Sequence, residues 1–170
     1  YPEQYEEMKK FIEEGRWHIA GSSWEASDVL VPSVEASIRN IMLGQTYYRQ
    51  EFGKEGTDIF LPDCFGFGWT LPTIAAHCGL IGFSSQKLDW RNHPFYGKSK
   101  HPFTIGLWKG IDGKQVMLAH GYDYGRKWNN EDLSKNKDLE KLAQRTPLNT
   151  VYRYYGTGEI GGSPTLGSVR

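Results

Sequence analysis

Three charged side chains stand just after apolar, strand-like runs, and each is followed by residues that bend the chain. Asp63 follows Ile59-Phe60-Leu61-Pro62 and precedes Gly66 and Gly68. Lys87 follows Ile81–Ser85 and Gln86. Glu159 follows Val151–Tyr155 and is flanked by Gly156, Gly158, Gly161 and Gly162. In α/β folds the carboxyl ends of strands are where catalytic groups collect. One ionised and one protonated carboxylate can share acid/base work on a bond placed between them. A lysine one strand further along can pair with a carboxylate by Coulomb attraction and a charge-assisted hydrogen bond. Each residue also has a plainer reading: Asp63 as a turn cap, Lys87 as a solvated lysine, Glu159 as a loop charge.

These groups need a scaffold that brings strand ends together. Tyr1–Glu14 reads as a helix with Tyr5, Met8, Phe11 and Ile12 near one face, ended by Gly15. Trp17–Ala20 reads as a short strand. Asp28 closes the following loop, where an Asp is ordinarily a turn former. Pro32-Ser33 opens a second helix with Ser33 as N-cap, running to Gly53. Gln45 on its apolar face is either a satisfied core amide or a pocket group, with core or interface the safer choice. Thr70 is the expected cap of a third helix that ends at Gly79. Thr104–Lys109 and Gln115–Ala119 form a hairpin around Asp112-Gly113. His120 and Tyr122 stand at its end, with Tyr124 close behind, again where active-site groups collect. Asn129–Gln144 is a charged helix and Val151–Tyr155 a last strand. Strand and helix alternate, which predicts an α/β fold with a mainly parallel sheet.

Composition removes several classes. Lys plus Arg and Asp plus Glu number 20 each, so no net field favours nucleic acid or an anionic membrane. No apolar run approaches the roughly 20 residues that span a bilayer, and Tyr1–Arg16 is too charged for a signal peptide. Cys64 and Cys78 form neither a disulfide framework nor a zinc pattern, and packed free thiols are expected, with the compartment left open.

Five blocks, in order, resemble the α-mannosidases of glycoside hydrolase family 38: WEASD at 24–28, Pro32-Ser33 through Phe52-Gly53, LPDCFGFGWTLP with SSQKLDW, FTIGLWKGIDGKQV at 103–116, and YGTGEIGGSPT at 155–165. The resemblance implies part of a seven-stranded β/α barrel-like domain. Residues 1–170 would be a partial catalytic domain, its N-terminal and C-terminal parts lying outside the chain. It implies a retaining, metal-dependent hydrolase that cleaves α-mannosidic linkages through a covalent glycosyl-enzyme intermediate. Asp63 would be the nucleophile and a ligand of a divalent cation, most commonly zinc. Glu159 stands where the family has an acid/base Asp, one methylene longer. Trp24, Asp28, Lys87 and Tyr122 would meet a mannose-containing oligosaccharide or glycan. The family's His-x-Asp segment is absent, so the metal site is incomplete and the piece alone is expected to be inactive. Two other readings compete: a noncatalytic carbohydrate-binding module, and a metal-dependent polysaccharide deacetylase, which would need a His-x-x-x-His pair that the chain lacks.

Overall fold

The computed structural model describes residues 1–89, 104–121, 133–145 and 148–154. Helix α1 (Pro2–Glu13) starts on a proline, whose missing donor costs nothing in a first turn, and buries Ile12. Helix α2 (Val34–Phe52) is capped as expected: Ser33 Oγ accepts from the Ala36 amide at 3.2 Å, and Gly53 ends it in the left-handed region. Strand β1 (Asp58–Phe60), helix α3 (Thr70–His77) and strand β2 (Gly82–Ser85) follow. Thr70 is not the cap of α3. The Leu71 amide reaches back to Gly68 O at 3.1 Å, so the first turn closes earlier and Trp69 occupies the cap position. Strands β3 (Ile105–Lys109) and β4 (Gln115–His120) form the hairpin read from the sequence, closed by Gly110 N donating to Lys114 O at 2.8 Å. Helix α4 (Lys137–Ala143) is capped by Asn136, a shorter element than the helix expected over 129–144, whose first four residues lie outside the described ones.

The sheet corrects the expected architecture. Among the described residues it has four strands in the order β1-β2-β4-β3, with β1, β2 and β4 parallel and β3 antiparallel. The seven-stranded, mainly parallel barrel-like sheet is therefore not what the described residues form; they form an open, mixed sheet. The short turn at 110–114 forces β3 back alongside β4, and a hairpin pair can only be antiparallel. Two expected strands do not form. Trp17–Ala20 has no ladder; β1 is met there by Ser22 Oγ donating to Asp58 O at 2.8 Å and the Gly21 amide donating to Asp58 Oδ1 at 3.2 Å. Residues 151–154 also lack a ladder, and Tyr154 instead lays its ring 5.9 Å from that of Phe60.

Ile59, Leu61, Phe83, Val116 and Leu118 form the apolar face of the sheet, covered by Ile41 of α2 and by Leu71, Ile74 and Ala75 of α3. Gln45 is the satisfied core amide. It donates to Gly56 O at 2.7 Å and accepts from the Gly56 amide at 2.9 Å, fixing the approach to β1. Gly44 beside it lets residues 22–24 cross α2 closely; a Cβ there would stand 2.2 Å from Ser22 O.

Candidate active site

Neighbouring parallel strands end at one edge of the sheet, about 5 Å apart. β1 runs into Leu61, whose amide still donates to Ser84 O at 3.0 Å, before Pro62 removes the next donor. Asp63 lies in the turn that follows. β2 ends at Ser85, whose Oγ accepts from the Lys87 amide at 3.1 Å and so starts a single 3₁₀ turn, Lys87–Asp89. The two side chains meet there: Lys87 Nζ lies 2.8 Å from Asp63 Oδ1. Their surroundings differ. The lysine side chain keeps 12% of its exposure and the aspartate 62%, so the cation is embedded and the carboxylate is offered to solvent or ligand.

The loop carrying Asp63 is held from behind by residues 27–30. Cys64 Sγ donates to Ser27 O at 3.1 Å. Burial pushes its thiol up, and the charges of Asp28 and Asp63 add to this, so Cys64 is a protonated packing group. Asp28 is the turn former its sequence suggested: its Oδ1 accepts from the Leu30 amide at 3.1 Å. The bond from Cys64 to its neighbour Ser27 sets this turn against the loop that carries Asp63. Both cysteines are free, as expected.

Trp24 belongs to a different surface. Its ring stands edge-on to Tyr47 of α2 at 5.5 Å, and with Ser23, Gly44 and Tyr48 it lines a shallow cavity of about 320 Å³. Tyr122 and Glu159 lie outside the described residues, as do His93, His101 and Tyr124. His120 is fully buried at the end of β4, in register with Ser85. His77 is at the opposite end of α3, 2.9 Å from Asp112 of the hairpin turn, so it is remote from the strand carboxyl ends. Two features escaped the sequence reading. The Phe65 ring centroid lies 4.6 Å from Lys87 Nζ. Tyr154 is buried next to Ser84, and burial pushes its hydroxyl well above the usual range. An aromatic residue two places beyond Asp63 was the available signal for the first.

The described residues do not by themselves fit a metal ion. No three His, Cys, Asp or Glu side chains converge among them. Asp63, the one candidate ligand, already has an ammonium group at 2.8 Å, and a tetrahedral zinc needs four donors.

Residues 1–167 match the family profile described as the glycosyl hydrolases family 38 N-terminal domain. Alpha-mannosidase G of Dictyostelium discoideum is 35% identical over 172 residues, covering 98% of this chain and 15% of that protein. Human alpha-mannosidase 2C1 is 32% identical over 171 residues, covering 97% of this chain and 15% of that protein. The chain thus spans about 15% of the length of these curated relatives. In backbone shape it is similar to a 4-alpha-glucanotransferase from Thermococcus litoralis, with a TM-score of 0.66 at 14% identity over 92% of this chain and 24% of the other, a likeness of fold alone.

One expectation is corrected by these findings. The retaining course through a covalent glycosyl-enzyme intermediate is withdrawn. The matches point to a family and a class of bond, and they carry no covalent intermediate. The separation between two carboxylates distinguishes retention from inversion, and Glu159, the second carboxylate, lies outside the described residues.

Proposed function

Because the chain belongs to glycosyl hydrolases family 38, through that family's N-terminal domain, we propose that the full-length protein is a metal-dependent α-mannosidase acting on mannose-containing oligosaccharides or glycans. The observation that supports this reading best is the Asp63–Lys87 pair, at 2.8 Å on the ends of adjacent parallel strands. Glycoside hydrolysis passes through an oxocarbenium-like transition state. A carboxylate held in place before the reaction stabilises that developing positive charge without having to reorganise. Asp63 is the group assigned to this work, and Lys87 fixes its orientation. Glu159 is the assigned proton donor to the leaving oxygen. Asp28 and Tyr122 are the assigned sugar contacts, with Asp28 next in sequence to Ser27, which takes the Cys64 bond; Trp24, in the cavity with Tyr47 on a different surface, is not assigned to this site. The cation is zinc in this reading, with Asp63 as one ligand and about three more needed for a tetrahedral site.

The test is hydrolysis of p-nitrophenyl α-mannoside by the full-length protein, beside the β-mannoside and the α-glucoside and with the protein stripped by a chelator. The reading expects turnover of the α-mannoside alone, lost on stripping and restored by a divalent cation. Binding of mannosides without turnover would move the assignment to a carbohydrate-binding module. Turnover that survives complete stripping would remove the metal.

A further inference from the structure

The loop between Asp63 and Thr70 carries an aromatic ring that the proposed chemistry has not used. Phe65 is half exposed, yet its position is set on both sides. Cys64 before it is tied to Ser27 O at 3.1 Å. Gly66 after it has φ of +125°, a conformation that L side chains rarely adopt. A Cβ on Gly66 would stand 2.5 Å from Leu30 Cδ1, so that leucine is seated on the bare glycine. Leu30 is itself placed by the Asp28 turn. The ring between these anchors lies with its centroid 4.6 Å from Lys87 Nζ, the same nitrogen that meets Asp63 Oδ1 at 2.8 Å.

We propose that Phe65 is a positioning residue for the Asp63–Lys87 pair: its ring face holds the lysine ammonium, and thereby the direction in which the aspartate is offered to substrate. This rests on the α-mannosidase reading of the site. A lysine ends in a compact charge on a flexible four-carbon stem, so a salt bridge alone leaves its direction loosely defined. The negative face of an aromatic ring attracts a cation from a second direction. Two attractions from different directions fix the nitrogen as one cannot. Asp63, largely exposed, has little packing of its own to orient it and relies on the embedded partner.

The experiment is a substitution series at position 65 in the full-length protein. Phe65→Leu keeps apolar bulk and removes the ring face; Phe65→Tyr keeps the face. Replacing Phe65 by 4-fluoro- and then 3,4,5-trifluorophenylalanine withdraws electron density from the ring with little change of shape. The expected result is a fall in kcat of roughly two- to thirtyfold for Phe65→Leu, with KM within about twofold. Phe65→Tyr should recover most of it, and kcat should fall stepwise with fluorine number. A flat fluorine series, or Phe65→Leu at wild-type kcat, overturns the proposal.

Lys87→Met in the same assay separates the two levels of the argument. If Lys87→Met keeps wild-type kcat, the catalytic reading of the pair has failed. If it loses activity while the fluorine series is flat, only the role of Phe65 has failed. An independent readout needs no turnover: with ¹³C-labelled lysine, the Lys87 Cε protons should show an upfield ring-current shift that disappears in Phe65→Leu. Its absence in the wild type would also overturn the proposal.

Discussion

Replacing Gln45 by leucine tests how the fold holds the approach to β1. Gln45 is 7% exposed and its amide meets both polar groups of Gly56, at 2.7 and 2.9 Å, while its Nε2 also lies 3.4 Å from Ser22 Oγ. Gly56 is buried and sits two residues before Asp58, where β1 begins. Leucine keeps most of the volume, so a cavity contributes little. What is lost is the partner of one buried N–H and one buried C=O. Each such group left unsatisfied costs about 1–3 kcal/mol, so the two together give about 2–6 kcal/mol, less whatever a relaxing backbone recovers. Urea unfolding of the full-length protein should show the transition containing this domain moved to lower denaturant by that amount. Hydrogen exchange at the Gly56 amide should speed up by at least about thirtyfold, the equivalent of 2 kcal/mol. A loss below about 1 kcal/mol with unchanged exchange would mean that the glutamine is replaceable packing, and the reasoning would be wrong.

Two further outcomes follow from single contacts. Gly44→Ala should destabilise by about 1–3 kcal/mol although alanine is the better helix former, because its Cβ meets the backbone of Ser22, Ser23 and Trp24 at 2.2–2.8 Å; a stabilised variant in urea unfolding would contradict this. At the hairpin turn, partial desolvation pushes the Asp112 carboxyl up, but bonds from Thr73, the Lys114 amide and His77 outweigh it and hold it below the usual range. A carboxyl lowered on folding adds stability above its unfolded value of about 3.9, and that stability disappears as pH falls through the folded value. The stability difference between wild type and Asp112→Asn should therefore be larger at about pH 5 than below about pH 4. A difference that is the same at both ends would remove the charge from the explanation.

The meeting of Asp63 and Lys87 was legible because it needs only two facts: each follows a strand, and strands joined by a helix run parallel. The caps at Ser33 and Gly53 and the Asp112-Gly113 hairpin were legible for the same reason, since each depends on a few adjacent residues. Properties set by distant partners were not. Trp17–Ala20 has the residues of a strand but forms no ladder; Gly21 and Ser22 reach the β1 edge instead, through two bonds to Asp58. Gly44 looks like a weak point in a helix until residues 22–24 are seen crossing it. The Phe65 ring meets Lys87 from a loop that packs at Gly66 against Leu30, thirty-six positions earlier. The extent of the sheet was misjudged because the resemblance supplied strands that the described residues do not form. The covalent course came from the same source.

The most direct test of the central claim is a double-mutant cycle on Asp63 and Lys87, read as kcat for p-nitrophenyl α-mannoside in the full-length protein. Asp63→Asn removes the charge, Lys87→Met removes its partner, and the double variant removes both. If Lys87 acts by holding Asp63, removing it matters only while the carboxylate is present. The double variant should then be about as slow as Asp63→Asn alone, with a loss of several orders of magnitude in each. Losses that simply add, or Asp63→Asn within about tenfold of wild type, would contradict the claim that the pair works as one unit at the reacting sugar.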